Sequence, residues 1–257
     1  MKNTLVAGST GYLGRHILAA LQQHQIPFKA LVRNPKRLAK MDLNRDQIIR
    51  AEVTQPGSLK GCCEGVDTVV STLGITRQRD GLSYEDVDYQ ANLNLLNEAK
   101  AAGVRRFIYV SVLNGEHMTA LKVCAAKERF VKALQDSGLD YCVIRPNGFF
   151  SDMGEFVDMA KQGRIWLFGD GQLRANPIHG ADLAEVCVHA IQGSEEEIRI
   201  GGPDTLTQNQ IAELAFAAID KPARITHLPD GIRRMALFLL RKLTPVRIYG
   251  PLEFFLT

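Results

Sequence analysis

Short apolar runs alternate with longer amphipathic segments over the first 145 residues of the chain. The runs TLVAGS, PFKALVR, QIIRAEV, DTVVSTL, RRFIYVSV and DYCVIRP are rich in β-branched and apolar residues, and we predict them as strands. The segments between them have helical spacing, as in YLGRHILAALQQH, where Leu13, Ile17 and Leu21 share one face. Strands that are apolar on both faces and separated by helices are typical of a parallel sheet covered on both sides. The pattern therefore predicts an α/β protein with a doubly wound parallel sheet.

The alternation becomes less regular after Pro146. IWLFGDG, RANPI and EEIRIGG are predicted strands there, and ADLAEVCVHAIQ and TQNQIAELAFAAI are predicted helices. We therefore predict a first domain over residues 1–150 and a smaller α/β substrate or lid lobe over residues 151–257, intertwined with the first. The last segment is amphipathic and carries the cations Arg233, Arg234, Arg241 and Lys242. Covering a pocket, forming a homodimer and lying on a membrane surface all remain open as its role.

A glycine-rich loop, VAGSTGYLG, lies between the first predicted strand and the first predicted helix. The spacing of Gly8, Gly11 and Gly14 allows a tight turn and lets the backbone approach a pyrophosphate at the helix N-terminus, where N–H groups and the helix dipole favour anions. Packing of the strand against the helix would explain the third glycine but not the whole set. The loop predicts dinucleotide binding, with contacts from Gly8, Ser9, Thr10, Gly11, Tyr12, Leu13 and Gly14.

The end of the second predicted strand, LVRNPKR, bears on the choice between NADP(H) and NAD(H). A site that prefers NAD(H) has an acidic residue there to accept the ribose 2′-hydroxyl. This chain has Arg33, followed by Lys36, and a guanidinium suits a 2′-phosphate. We therefore predict that NADP(H) is preferred, the alternative being a solvated Arg33 in an indifferent site. The ends of the third and fourth predicted strands supply the other expected cofactor contacts, Glu52, Val53, Thr72, Leu73 and Gly74.

These motifs together resemble the short-chain dehydrogenase/reductase superfamily, and within it the atypical, NmrA-like members. VAGSTGYLG, LVRNPKRL, VTQPGSL, GVDTVVSTLG, VRRFIYVSV, AAKERFVKALQDSGLDYCVIRPNGFF and PIHGADLAEV occur in that family's order. The resemblance covers residues 1 to about 192 well and the remainder only loosely. It is similar to the reductase-like branch that includes isoflavone and divinyl chlorophyllide reductases, and it implies a Rossmann fold that binds NAD(P).

The resemblance also implies a catalytic unit, a serine after the fifth strand with Tyr-x-x-x-Lys on the next helix. Ser111 matches the serine, and Lys127 matches the lysine that binds the nicotinamide ribose. Val123 occupies the tyrosine position, so the usual tyrosine acid/base mechanism cannot operate. Tyr109 lies in a predicted strand and is not expected to replace it. The family pattern further places three residues after the sixth strand at the nicotinamide, namely Asn147, Gly148 and Phe149.

Lys127 is the residue on which the functional interpretation depends. It lies on the otherwise apolar helix face formed by Val123, Phe130 and Leu134. If it is half-buried beside a nicotinamide, we expect desolvation to lower its pKa and allow it to handle a proton near neutral pH. Two alternatives remain: a dinucleotide sensor or assembly protein without turnover, and a lysine that only extends to solvent. A sugar-nucleotide epimerase is disfavoured because such enzymes use the tyrosine.

Composition limits the other function classes. The net charge of +3, from 31 basic and 28 acidic residues, gives no basic patch for nucleic acid. No apolar run approaches the roughly 18 residues of a membrane span, and the chain enters a strand too soon for a signal peptide. Five cysteines without a C-x-x-C pair predict reduced thiols in a cytoplasmic protein, and we expect no metal site. The expected partner is a small, enone- or quinone-like substrate.

Overall fold

The computed structural model of the 257-residue chain describes residues 3–75 and 81–256, without the side chains of residue 247 and residues 254–256. The chain forms two compact units. The first unit consists of Met1–Pro146 and Gly180–Arg199, and the second consists of Asn147–His179 and Ile200–Thr257.

A parallel sheet forms the centre of the first unit. In the described part of the chain it has seven strands in the order β3-β2-β1-β4-β5-β6-β9. The strands of the chain are β1 Thr4–Ala7, β2 Phe28–Val32, β3 Ile48–Arg50, β4 Thr68–Ser71, β5 Arg106–Val110, β6 Asp140–Pro146, β7 Ile165–Phe168, β8 Arg174–Ala175, β9 Glu197–Ile200, β10 Leu206–Thr207 and β11 Ile225–Leu228. The strand order reverses between β1 and β4, which confirms the predicted doubly wound fold. In such a sheet the reversal leaves a crevice at the carboxyl ends of these two strands.

Helices cover both faces of this sheet. The helices of the chain are α1 Tyr12–Gln23, α2 Pro56–Leu59, α3 Asn92–Ala101, α4 Lys122–Gln135, α5 Gly154–Lys161, α6 Gly180–Gln192, α7 Gln208–Ala217, α8 Asp230–Leu243 and α9 Val246–Leu256. On one face, Leu95 of α3 and Phe130 of α4 pack with Phe107 and Tyr109 of β5 in a fully buried cluster. On the other face α1 packs against α6, which buries the predicted apolar stripe of α1.

A π-helix, Glu85–Ala91, runs directly into α3. The predicted apolar stripe of this segment, Val87, Ala91, Leu95 and Ala99, is buried as expected. The wider π turn also brings Asp88 and Asn92 inside, and both are completely buried. Two polar side chains thus enter the first unit at the carboxyl end of β4, where a dinucleotide crevice is expected.

The second unit has small sheets and its own core. β7 pairs in parallel with β11, and β8 pairs antiparallel with β10. Its apolar cluster contains Ile165 and Leu167 of β7 with Ala212 and Phe216 of α7. Of the helices that the structure describes, none combines the length and apolarity needed to cross a bilayer.

The division of the chain differs from the predicted boundary at residue 150. α6 and most of β9 fall within the predicted lobe of residues 151–257, yet they belong to the first unit. The reason is long-range packing, because α6 lies against α1 and β9 extends the main sheet beside β6. Local sequence pattern carries no information about either contact.

Candidate dinucleotide-binding site

The loop between β1 and α1 has two positions where an added side chain would collide with neighbouring atoms. Gly8 has φ of +79°, and a Cβ there would lie 2.4 Å from the Thr72 hydroxyl oxygen. A Cβ on Gly14 would lie 2.2 Å from the Gly8 carbonyl oxygen and 2.7 Å from the Cα of Ser9. Gly8 therefore permits the turn against β4, and Gly14 lets α1 pack against the loop.

The N-terminus of α1 is suited to an anion. Its N-cap is Gly11, which has no side chain to occupy the first N–H groups, and its first turn contains no acidic residue. The Ser9 hydroxyl donates to the Leu31 carbonyl and Ser9 is fully buried, so the cofactor contact expected from Ser9 stays a prediction. The Tyr12 hydroxyl accepts from the Gly180 N–H at 3.1 Å, and Leu13 is buried. The cofactor contacts expected from Tyr12 and Leu13 stay predictions.

An open cleft extends from this loop along the carboxyl ends of the first four strands. Glu52 lies in it after β3, and its Oε1 accepts the Thr54 hydroxyl at 3.0 Å, while its Oε2 lies 3.7 Å from Nη1 of Arg33. Eight of the residues predicted to bind the cofactor line the cleft together, namely Gly8, Thr10, Gly11, Glu52, Val53, Thr72, Leu73 and Gly74. Arg33 is the ninth of them and lies at the edge shared with a second groove.

The second groove is lined by three cations, Arg33, Lys36 and Arg50. Arg33 is about half exposed, which keeps its guanidinium accessible to a ligand. Arg50 is the last residue of β3 and pairs in register with Val32 of β2, so it lies beside Arg33. Sequence analysis missed Arg50 because the register of β3 against β2 cannot be read from the local pattern.

Lys127 lies beside Gly74, one of the residues that line the cleft. Its Nζ lies 3.0 Å from Oδ1 of Asp88 and 3.4 Å from the Tyr109 hydroxyl. The Lys127 side chain is 14% exposed and the Asp88 side chain is fully buried. The alternative of a lysine that only extends to solvent is therefore wrong, because the ammonium has a buried carboxylate partner. A Cβ on Gly74, which lines the cleft, would lie 3.0 Å from Nζ.

The charge state of Lys127 differs from the sequence expectation. Burial alone would lower its pKa, but Tyr109 and Asp88 together raise that pKa above the ordinary value of 10.5. The expected lowering is therefore wrong, because it considered burial without a counter-ion. Burial raises the pKa of Asp88, with Lys127 opposing, and raises the pKa of Tyr109 to about 12. The ion pair keeps Lys127 protonated throughout the neutral range.

Asp88 and Asn92 were missed in the sequence, and Tyr109 was not expected at the site. Oδ2 of Asp88 accepts from the Ile75 N–H at 3.3 Å. The Asn92 amide donates to the carbonyls of Leu73 and Asp88, and its Oδ1 accepts the Ser71 hydroxyl at 2.6 Å. The spacing of Asp88 and Asn92, four positions apart in a predicted helix, is the one feature of the sequence that could have indicated two polar side chains on the same helix face.

Ser111 faces an ionic cluster. Its hydroxyl donates to Oε1 of Glu128 at 3.2 Å, and Glu128 accepts two bonds from Arg145, at 2.6 and 2.9 Å. Arg145 also donates to Glu197 at 2.8 Å. The catalytic role predicted for Ser111 stays a prediction, since its hydroxyl here bonds to Glu128.

Removal of Arg145 is expected to destabilise the first unit strongly. The Arg145 side chain is 4% exposed, and Arg145→Met would leave the partly buried Glu128 without its cation. We expect the free energy of unfolding to fall by about 3 kcal/mol. The matched control is Lys132→Met, which breaks an exposed pair with Asp136 and should cost less than about 0.5 kcal/mol. Urea unfolding of both variants measures the difference, and equal losses would show that the cluster does not hold this region together.

The residues predicted at the nicotinamide belong to the second unit. The Asn147 amide donates to Oδ1 of Asn176, and the Gly148 N–H donates to Oδ1 of Asn147 at 3.1 Å. Phe149 forms an isolated bridge with Ile178. The cofactor contacts expected from Asn147, Gly148 and Phe149 stay a prediction.

A glycine loop at a helix N-terminus, opening on the carboxyl ends of a doubly wound parallel sheet, defines a dinucleotide-binding protein. Residues 8–194 match the family described as NAD(P)H-binding, and the chain belongs to that family. The predicted resemblance to atypical short-chain dehydrogenase/reductase proteins is confirmed at this level.

Two curated relatives and one solved structure illustrate the likeness. The chain is 28% identical over 263 residues to a chloroplastic divinyl chlorophyllide a 8-vinyl-reductase of Oryza sativa subsp. indica, a match that covers 94% of this chain and 65% of the relative. It is 25% identical to the photosystem II assembly factor Ycf39 of Cyanophora paradoxa, over 90% of this chain and 73% of the relative. The chain thus spans just under two thirds of the length of the vinyl-reductase. The fold is similar to that of the Escherichia coli NADPH-dependent quinone oxidoreductase QOR2 complexed with NADPH, with a TM-score of 0.76 and 22% identity over 96% of this chain and 86% of that one.

Proposed function

We propose that this protein is an NADP(H)-dependent oxidoreductase in which Lys127 acts at the reacting end of the cofactor. The observation that carries the proposal is the placement of a largely buried, paired ammonium beside Gly74, a residue that lines the cleft. The fold buries the Asp88 carboxylate to hold this cation, and a cation in this place could stabilise negative charge that develops on a bound ligand during reaction.

The preference for NADP(H) is supported by the groove beside the adenosine end of the cleft. Arg33, Lys36 and Arg50 converge there, and a 2′-phosphate would accept charge-assisted hydrogen bonds from their guanidinium and ammonium groups. Glu52 would be left to contact the adenosine, since it already lies near Arg33 and Thr54. The same three cations have no evident use for the bare 2′-hydroxyl of NAD(H).

The chain's own residues would bind, orient and stabilise charge. The bound nicotinamide would supply the hydride, while the backbone of the loop at Gly11 would hold the pyrophosphate. Lys127 would donate to the nicotinamide ribose and stabilise negative charge on the acceptor. Val123, buried in place of the family tyrosine, can donate no proton. The acceptor class that suits such a site is an enone or quinone, whose reduced oxyanion is stabilised by resonance.

The buried thiols support the proposed cytoplasmic location. All five cysteines are free and buried, with no partner arranged for a disulfide except the vicinal pair Cys62 and Cys63 at 3.8 Å between sulfur atoms. Free thiols in this number are typical of a reducing compartment.

A dinucleotide-sensing or assembly protein without turnover is the second candidate. It is favoured by Val123 and by the raised pKa of Lys127, which together leave the site without an obvious proton donor. The Cyanophora relative is an assembly factor by name, which is compatible with this alternative.

Oxidation of NADPH in the presence of candidate acceptors separates the two. A panel of quinones, enones and aldehydes should contain at least one acceptor that the wild-type protein reduces faster than buffer does. Tight NADPH binding without turnover on any quinone or enone would favour the sensor.

Loss of Arg33 is expected to weaken NADPH binding selectively. Arg33→Ser removes one cation from the groove, and we expect the NADPH Kd to rise about 10-fold with little change for NADH. Arg37→Ser is the matched control, since Arg37 is a nearby exposed cation that is absent from the groove lining. Calorimetric titration measures the Kd for NADPH and for NADH. Equal effects of the two substitutions would show that Arg33 contributes only to the overall positive charge of this surface and does not bind the 2′-phosphate.

A further inference from the structure

The ammonium of Lys127 has a defined hydrogen-bonding capacity. It carries three N–H donors, and Asp88 and Tyr109 lie within reach of two of them, at 3.0 and 3.4 Å. The side chain retains 14% exposure and lies against Gly74, which lines the cleft. The ammonium therefore keeps donor capacity for a ligand, and it lies beside a residue of the cleft.

Asp88 is itself fixed from two sides. Its Oδ2 accepts the Ile75 N–H, and its carbonyl accepts the Asn92 amide at 3.1 Å. The π-helix that contains it turns this carboxylate inward, and its side chain has no exposed surface. Completely buried carboxylates are rare unless paired, and the pair here is with Lys127.

We propose that Asp88 is a positioning residue that keeps Lys127 charged and directed at the cleft, so that Lys127 is a fixed cation and not a proton donor. The inference rests on the proposed function, because it assigns how the reductase site manages charge. If Lys127 donates no proton, the substrate must be an acceptor whose oxyanion, formed by reduction, is stable enough to take its proton from water.

The groups that face Lys127 from each neighbouring element support this assignment. Tyr109 comes from β5 and Cys124 from the preceding turn of α4, and burial raises their pKa values to about 12 and about 11, so both are neutral. Glu128, also on α4, is bonded to Arg145. Asp88, from the π-helix, is therefore the carboxylate that balances the Lys127 charge.

The reaction balances without a side-chain acid. The C4 hydride of NADPH, with its electron pair, would form a C–H bond at the β-carbon of an enone or an O–H bond at one oxygen of a quinone. This leaves NADP⁺ and an enolate or hydroquinone anion, which takes one proton from water. Lys127 would stabilise that oxyanion by charge alone. A simple ketone forms a strongly basic alkoxide and needs a proton during the transfer, so its kcat/KM should be lower by about 100-fold or more.

The pH dependence of NADPH binding tests the role of Asp88 without turnover. Between about pH 7 and about pH 9.5 the 2′-phosphate is already largely ionised, so that a change in NADPH affinity over this range reports the charge of Lys127. In the wild type its pKa is raised, the ammonium persists, and NADPH affinity should change less than about twofold. In Asp88→Asn the counter-ion is lost and burial lowers the Lys127 pKa. NADPH affinity should then fall about fivefold or more as pH rises.

The double variant Asp88→Asn/Lys127→Met controls for other titrating groups and should give a flat, weaker profile, because neither member of the ion pair remains to titrate. A flat profile for Asp88→Asn at wild-type affinity would overturn the proposal. If Asp88→Asn does not fold, the Lys127 side-chain carbon resonance of the wild type decides, because it should not titrate at or below pH 10.5. Titration below that value would overturn the proposal equally.

Different results would contradict the reductase function and the role of Asp88. No turnover with any quinone or enone, together with the expected pH profiles, would remove the reductase function and leave the Asp88 assignment intact. Turnover that is as fast with simple ketones as with quinones would retain the reductase function and overturn the fixed-cation role.

Discussion

Gly14→Ala is expected to weaken NADPH binding by about 100-fold and to lower the free energy of unfolding by about 1 to 3 kcal/mol. The added methyl would lie 2.2 Å from the Gly8 carbonyl oxygen and 2.7 Å from the Cα of Ser9. Both are backbone atoms, so the loop must move away from α1, and the N–H groups that would hold the pyrophosphate move with it. Alanine's better helix propensity, worth about 1 kcal/mol, is too small to compensate.

Gly57→Ala is the matched control for this substitution. Gly57 is also helical, in α2, but a Cβ there would meet nothing within 4 Å. We expect unchanged NADPH affinity and unchanged or slightly higher stability. Calorimetric titration and urea unfolding of both variants give the comparison, and near wild-type NADPH binding by Gly14→Ala would show that the loop does not hold the cofactor.

Lys127→Met is expected to lower kcat by about 100- to 1000-fold with the best acceptor found. Methionine preserves much of the side-chain length but removes the charge that would stabilise the substrate oxyanion. The substitution also leaves Asp88 buried without its cation, which should cost about 3 kcal/mol of stability. Steady-state kinetics and urea unfolding measure the two effects.

The double variant Asp88→Asn/Lys127→Met separates catalysis from stability. With both charges removed, most of the lost stability should return because no uncompensated buried charge remains. The kcat should stay low, because the cation is still absent. Recovery of kcat together with stability would mean that Lys127 acts only by holding the fold, and that it has no part in the chemistry.

The sheet, its covering helices and the glycine loop could be predicted because each depends on local periodicity or on a motif of fixed spacing. The stripe of Val87, Ala91, Leu95 and Ala99 follows directly from helical spacing and is buried. Arg33 was predictable because its place after the second strand is set by the loop and strand order.

The remaining parts of the site depend on contacts between distant segments. Arg50 reaches the groove through the register of β3 on β2, which no local pattern specifies. Asp88 enters the first unit because the helix widens to a π turn, whereas regular spacing gave no reason for a carboxylate to turn inward. The Lys127 pKa was predicted in the wrong direction for the same reason, since its partner lies 39 positions earlier in the chain.

Calorimetric titration of the wild-type protein with NADPH and with NADH, at equal salt concentration, tests the assignment of the cleft most directly. The two ligands differ only in the 2′-phosphate, which the groove of Arg33, Lys36 and Arg50 would bind. We predict that NADPH binds at least about 10-fold tighter and that the difference shrinks as ionic strength rises. Equal affinity, or tighter binding of NADH, would contradict an NADP(H) site.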